Sequence, residues 1–237
     1  MVAYDDEYGI EYMTKKLAPY WARNGVRLHE LLRTADKEYA GLIEQCAKYD
    51  DELMTDLTAA GGEKYAQLAA LSFHQCLAAH KLVAGEDGTP LYFSKENFSN
   101  GCIATVDVTY PSSPFFLLLN PELLRAQTKP ILDYAQGGRW KFPFAPHDLG
   151  TYPKANGQVY GGGERDERDQ MPVEECGNML IMCAALSATS AGPTCSNPTC
   201  RSLRSGRSTS RPRASTPRTS FAPTTSPDTS RTTPTCR

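Results

Sequence analysis

The sequence predicts a mainly α-helical domain with long loops and short strands over residues 1–188, followed by a disordered tail over 189–237. Three observations support this prediction. Apolar residues recur at spacings of three and four through 28–46, 65–80 and 172–183, as they do on one face of a helix. Proline and glycine stand where these patterns start and stop. The tail contains almost no large apolar side chain.

The first two helices are predicted from apolar faces on either side of a glycine pair. One face begins at Leu28 and continues to Cys46. The motif AAGG at 59–62 interrupts the pattern, because glycine is a poor helix former. A second face follows, made up of Tyr65, Leu68, Ala69, Phe73, Cys76, Leu77 and His80. His74 and His80 lie six positions apart on this predicted helix, so we expect core or lining residues and not a paired site.

A strand and two more helices are predicted after these. In the segment CIATVDVTYP at 102–111, small and β-branched residues alternate as in a strand, with Asp107 on the more polar side. Asn120 followed by Pro121 predicts a helix start, because the amide side chain caps the first turn and proline needs no N–H there. The last helix is expected to begin near Pro172.

The cysteines of residues 1–188 do not indicate a metal site. They are Cys46, Cys76, Cys102, Cys176 and Cys183, and no two of them have the CxxC spacing of zinc ligands. We therefore expect buried free thiols, no bound metal and no cofactor.

The composition changes abruptly at the end of the last predicted helix. Residues 189–237 contain eight arginines, no lysine and one acid, and the remaining 17 basic and 26 acidic residues lie in 1–188. The net charges of the two parts are therefore +7 and −9. Serine, threonine, proline and arginine make up 37 of the 49 tail residues, so burial cannot offset the entropy lost on ordering.

Three hypotheses account for the tail. One is a basic arm for nucleic acid, and another is an O-glycosylated stalk. The third, which we favour, is a frameshift near Ser187–Ser190, because serine, threonine, proline, arginine and cysteine without lysine are typical of GC-rich coding DNA translated out of frame. One choice of allowed codons encodes, in another frame, an amphipathic helix followed by GFDPEN and TDDF motifs. On this hypothesis we expect no specific nucleic-acid partner.

The sequence contains no apolar run long enough to cross a membrane, and no secretory segment follows Met1. We therefore expect no membrane partner, and the sequence assigns no localisation to this chain. It opens with MVAYDDEYGIEYM, which is typical of a cut in the middle of a longer protein.

Four acids are candidate catalytic residues. Glu174 and Glu175 begin the last helix, where the alternative is a structural role at the positive end of the helix dipole. Asp107 lies on the predicted strand. Asp148 follows His147 in a loop, where an acid can orient an imidazole that transfers protons. Neighbouring residues of an extended segment point apart, so these two need not form a pair.

Candidate substrate-binding residues lie in the same long loops, which often carry function. The loop KENFSNG at 95–101 offers a cation and amides for a sugar hydroxyl or an amino-acid carboxylate, and the alternative is a satisfied turn. Aromatic residues of later loops are expected to form a wall for a sugar ring, although part of them is ordinary packing. The full set is Lys95, Asn97, Trp140, His147, Tyr152 and Asn178.

Several motifs resemble the glutaminase A family. They are YDDEYGIEYM, GGEKYAQLAALSFHQCLAAHKLV, FSKENFSNGCIATVDVTYPSSPFFLLLNPELL, FAPHDLGTYPKANGQVYGG and MPVEECGNMLIM, in this order across residues 1–188. The resemblance implies the first part of a six-hairpin, glycosidase-like (α/α)6 toroid, and the off-frame string resembles the family's next segment. Two departures are the short length of the chain and the insert GGGERDERDQ at 161–170, which we expect to be a solvated loop.

The resemblance implies hydrolysis of L-glutamine to glutamate and ammonia by a longer parent, which we expect to be exported or periplasmic. The missing remainder of the domain would be the partner of this chain, and the fragment would be inactive alone. Residues 1–188 lack a Ser-x-x-Lys motif, so carboxylates and a positioned water would have to act. The alternatives are glycoside hydrolysis by paired carboxylates and a non-catalytic truncated product. In both enzymatic cases the partner is a small molecule, glutamine or a sugar.

Overall fold

A computed structural model describes residues 8–96 and 98–189 of the chain, all within one compact unit. It confirms the mainly helical prediction, with five α-helices and short strands among these residues. The helices are α1 (Leu28–Gly61), α2 (Glu63–Ala78), α3 (Val106–Leu119), α4 (Pro121–Gln136) and α5 (Pro172–Thr189). The strands are β1 (Ile10–Tyr12), β2 (Lys15–Leu17), β3 (His80–Ala84), β4 (Pro90–Ser94) and β5 (Lys154–Ala155), and a short 3-10 helix covers Tyr20–Ala22.

The strands form two small sheets. In the first, β1 pairs with β2 in antiparallel fashion and with β5 in parallel, so the order is β2-β1-β5. In the second, β3 and β4 form an antiparallel hairpin in which His80 lies opposite Ser94. His80 therefore begins a strand, and the prediction that it continues the face of α2 is wrong, because that helix ends at Ala78. His74 is exposed on α2, whereas His80 is partly buried.

The predicted helix boundaries are confirmed where glycine, proline and asparagine set them. The helix α1 ends at Gly61, and Gly62 has a φ of +82°, which favours glycine. At the start of α4, the side chain of Asn120 accepts a hydrogen bond from the N–H of Glu122 at 3.2 Å. The helix α5 begins at Pro172, as predicted.

The predicted strand at 102–111 is wrong for most of its length. Within it only Cys102 and Ile103 make isolated strand bridges, and the chain becomes helical from Val106 onward. The buried residues of α3 are Val106, Thr109, Ser112, Ser113 and Phe116, which is a helical spacing. Burial of this face overrides the strand preference of the β-branched residues. Asp107 consequently lies in the first turn of a helix and not on a strand.

The hydrophobic core lies among the β3–β4 hairpin, α3, α4, α5 and the loop that follows α4. Its largest fully buried side chains include Phe93, Phe116, Leu124 and Met179. In contrast, α1 packs against α2 but contains no buried residue. None of the helices in the described ranges has the length and apolar character needed to cross a membrane.

Candidate active site

Three segments that are distant in sequence meet at one acidic cluster, which we call the Asp107–His147–Glu175 cluster. Asp107 comes from the first turn of α3, His147 from the loop after α4, and Glu175 from the first turn of α5. Backbone contacts hold the segments together, since the N–H of Val106 donates to the carbonyl of His147 at 2.8 Å. On the other side, the N–H of Ala145 donates to the sulfur of Cys176, one residue after Glu175, at 3.2 Å.

The cluster is compact and largely sealed from solvent. One nitrogen or oxygen atom from each of its three side chains lies within 4.8 Å of the others, and Nε2 of His147 lies 3.9 Å from Oδ1 of Asp107. The side chains of His147 and Glu175 are buried, whereas that of Asp107 is 31% exposed. Neither oxygen of Glu175 nor Oδ1 of Asp107 has a hydrogen-bond partner among the described residues. Unpartnered buried carboxylate oxygens are costly, which makes this cluster the candidate functional site.

Asp148 belongs to the same loop but has a different environment. Its buried carboxylate accepts backbone hydrogen bonds from Gly150 at 2.7 Å, Val159 at 3.0 Å and Tyr160 at 3.1 Å. It also accepts one from Nδ1 of His147 at 3.0 Å, so the two neighbours do form a pair. The ring of Tyr160 stacks on the imidazole at 4.1 Å. Asp148 therefore orients His147, and Nε2 is the ring nitrogen that faces the cluster.

The pKa values of two ionisable groups in this region, Glu175 and Cys102, are raised above their ordinary values. Burial is the main cause that raises the pKa of Glu175 to about 8, and the negative charges of Asp107, Glu174 and Asp148 contribute to the same rise. Burial also raises the pKa of the Cys102 thiol to about 12, with Asp148 as the next cause. Cys102 is consequently a protonated thiol at neutral pH and not a nucleophile.

Comparison with known proteins identifies the family. A family model described as the glutaminase A six helical-hairpin domain matches residues 62–204, which is more than half of the chain. The chain belongs to this family. The match includes all three residues of the acidic cluster. It begins at the end of α1 and continues past residue 188, where we predicted the domain to end. That boundary and the frameshift stay predictions.

Two curated glutaminases are similar to the family segment. Glutaminase A of Aspergillus oryzae is 40% identical over 149 residues, which are 62% of this chain and 21% of that protein. A protein of Arthroderma benhamiae named "Probable glutaminase" is 40% identical over 136 residues, which are 57% of this chain and 15% of that protein. The chain thus spans only about a fifth or less of the length of these relatives. No solved structure matches it significantly.

The structure brings some predicted glutaminase-family site residues together and separates others. Asp107, His147, Asp148 and Glu175 converge, whereas Glu174 is exposed one position before the cluster. Asn178 is partly buried one turn further along α5. Their roles stay predictions.

The predicted aromatic wall divides into separate groups. Trp140 is buried, donates its indole N–H to the carbonyl of Phe144 at 2.6 Å and packs against Phe142, an environment that favours a structural role. Tyr152 instead lies under the ammonium of Lys95 at 4.8 Å. Asn97 lies outside the described residues.

The sequence analysis missed Cys102 and the function of Tyr160 as the stacking partner of His147. Cys102, His147 and Asp148 form a second close group, but no spacing in the sequence indicated it.

A surface groove of about 570 Å³ is lined by other residues, which include Arg139, Gln158 and Glu164. It is joined to the cluster through Gln158, whose side-chain oxygen accepts a hydrogen bond from the N–H of His147 at 2.7 Å. We assign the site to the cluster, because the ionisable groups converge there.

Proposed function

We propose that this chain carries part of the active site of an enzyme that hydrolyses the side-chain amide of L-glutamine to glutamate and ammonia. The names of the two relatives support the reaction. The observation that carries the proposal is the convergence of Asp107, His147 and Glu175 within the segment that matches the family. A functional site in a buried acidic cluster agrees with the carboxylate chemistry expected from the sequence.

Amide hydrolysis needs a group that accepts a proton from water and a source of a proton for the departing ammonia. Asp107 is the member of the cluster that solvent reaches, so it is placed to contact the attacking water. His147 and Glu175 line the buried side of the same space. Activity of the complete enzyme would also use residues from the remaining hairpins, and we propose that this chain alone has little turnover.

A chimera tests this proposal with the missing part supplied. Residues 62–188 of this chain would replace the matching segment of Aspergillus oryzae glutaminase A, and release of ammonia from L-glutamine would be measured. We expect activity in the chimera and a loss of about a hundredfold or more in kcat/KM on Glu175→Gln. The matched control is Glu174→Gln, which changes the exposed acid next to it and should alter kcat/KM less than threefold. Equal effects of the two substitutions would refute the assignment of the site.

Glycoside hydrolysis is a second candidate, because the carboxyl groups of Asp107 and Glu175 approach within 4.8 Å. Retaining glycosidases place two carboxyl groups roughly 5–5.5 Å apart. The same chimera distinguishes the two functions when it is assayed with 4-nitrophenyl glycosides beside L-glutamine. Release of nitrophenol without ammonia, lost in Glu175→Gln, would favour the glycosidase.

A further inference from the structure

We infer that the Asp107–His147–Glu175 cluster is a binding site for one divalent first-row metal ion. Each residue offers one ligand atom, and the three atoms come from α3, the loop after α4 and α5. The inference rests on the proposed function for the use of the ion, which would hold a water for attack on an amide. Its test, however, measures binding and not turnover.

The unpartnered oxygens argue for an ion and against a shared proton. Glu175 is 1% exposed, and both of its oxygens lack hydrogen-bond partners, as does Oδ1 of Asp107. A proton shared by two carboxylates would require a short hydrogen bond between them, which these oxygens do not form. An ion at the centre of the cluster would satisfy oxygens of both residues at once.

The separations fit ligands of one ion. Metal bonds to carboxylate oxygen and imidazole nitrogen are about 2.0–2.2 Å long, so two ligand atoms of one ion lie at most about 4.4 Å apart. The 3.9 Å between Nε2 of His147 and Oδ1 of Asp107 is within that limit. The outer bound of 4.8 Å for the whole cluster needs a contraction of only a few tenths of an ångström.

The orientation of His147 supplies an independent argument. Asp148 already accepts three backbone N–H groups, so it is an ionised acceptor and the hydrogen of the neutral imidazole lies on Nδ1. The lone pair on Nε2 then faces Oδ1 of Asp107, and two acceptors in this arrangement repel each other. A cation between them removes the repulsion. A carboxylate that holds the far nitrogen of a ligand histidine is a common outer-shell arrangement in metal sites.

The second close group, Cys102 with His147 and Asp148, is not the site. The carboxylate of Asp148 is saturated with hydrogen bonds, and Nδ1 of His147 is used by Asp148. The two carboxylates and one imidazole of the first cluster suit zinc, manganese or iron(II). We choose Mn²⁺ as the probe, because manganese prefers oxygen ligands to thiolates, so the eight cysteines of the chain compete little for it.

The experiment uses the full chain, treated with EDTA and dialysed, and follows Mn²⁺ by its electron paramagnetic resonance signal and by calorimetry. We expect one Mn²⁺ per chain and a rise in the melting temperature when the ion binds. Glu175→Gln should weaken Mn²⁺ binding at least tenfold, and Asp148→Asn should weaken it about tenfold to a hundredfold. The matched control, Glu174→Gln, should bind Mn²⁺ within about twofold of the parent.

Circular dichroism distinguishes loss of the site from loss of the fold. Glu175→Gln keeps the shape of a buried side chain whose oxygens have no hydrogen-bond partner among the described residues, so in the absence of metal it should melt at about the same temperature as the parent. Absence of Mn²⁺ binding in a folded parent, or equal affinity in Glu175→Gln and Glu174→Gln, would overturn the inference. Mn²⁺ binding by a chimera that releases no ammonia would leave the inference intact and refute the proposed reaction. A chimera that releases ammonia but does not bind Mn²⁺ would overturn the inference and leave the proposed reaction intact.

Discussion

His80 is a partly buried histidine whose contacts favour the neutral imidazole. Its Nδ1 contacts the carbonyl of Cys76, and its Nε2 lies 2.8 Å from the side-chain nitrogen of Gln127, which donates to it. The ring stacks on Tyr92 at 4.6 Å and meets the edge of Phe116 at 5.4 Å. Burial lowers the pKa of His80 to about 4, because the charged form loses its hydration, although the contact with Cys76 acts in the opposite direction.

This environment predicts a loss of stability in mild acid. Between pH 6.5 and 4 the unfolded chain binds a proton at His80 and the folded chain does not, so stability falls as the pH falls through this range. The loss approaches about 3 kcal/mol near pH 4. The free energies of unfolding of the parent and of His80→Gln, measured with urea, should therefore converge as the pH is lowered from 7 to 4. The control is His74→Gln, at an exposed histidine of α2, which should keep the pH dependence of the parent. A constant difference between the parent and His80→Gln would contradict the prediction.

Single residues of the candidate site were accessible to sequence analysis, but their roles were not. His147 could be chosen because it lies beside an acid in a loop. Asp107 could be chosen as an acid on a predicted strand, and Glu175 as an acid at the start of a predicted helix. The orienting role of Asp148 was considered from the sequence, but its other partners could not be predicted, since they are N–H groups of Gly150, Val159 and Tyr160, whose positions depend on the path of the loop. Local alternation predicted that Asp148 and His147 point apart, but the chain bends at His147 and the two side chains form a hydrogen bond.

At the scale of elements, the residues at the helix ends predicted the boundaries, whereas tertiary packing determined that α3 is a helix. The boundaries at Gly62 and Asn120 follow from backbone preferences that act within a few residues. The helix α3 contains Pro111 and Pro114, both exposed, which argue against a helix when the sequence is considered alone. Its buried face packs against α4 and α5, and the sequence pattern gave no indication of that contact.

The prolines of α3 predict an unusual effect of substitution. Pro114 is in the helix interior, so the carbonyl of Tyr110 lacks the N–H donor that an ordinary residue would supply four positions later. Because Pro114 is exposed, alanine restores the donor without loss of packing. We expect Pro114→Ala to raise the free energy of unfolding by about 1 kcal/mol, after the gain in unfolded-state entropy is subtracted.

Urea unfolding at neutral pH measures this effect. The matched control is Pro121→Ala, because Pro121 occupies the first turn of α4, where proline removes no intrahelical hydrogen bond. That substitution should leave stability unchanged or lower it slightly. If Pro114→Ala also lowers stability, the ring of Pro114 contributes more to α3 than the missing hydrogen bond costs.

At the scale of the whole molecule, the described part of the chain leaves many apolar side chains of its first hairpin uncovered. The α1–α2 apolar surface consists of Tyr39, Leu42, Ile43, Tyr49, Tyr65, Leu68, Leu71 and Leu77, which are 37–65% exposed. Apolar surface of this extent is typical of an interface. Since the chain matches 21% of the length of Aspergillus oryzae glutaminase A, the proposed occupant is the remainder of the six-hairpin domain.

Exposure of this surface predicts dye binding and self-association of the isolated chain. Leu68 and Leu71 are 65% and 55% exposed on α2, so changing both to lysine removes apolar surface without opening the core. We expect the double variant to lower the fluorescence of the apolar dye ANS at least twofold and to reduce association in sedimentation velocity. The control changes Gln67 and Gln75, two exposed residues of the same helix, to lysine and adds the same charge. If both double variants reduce dye binding equally, charge and not apolar surface controls the association.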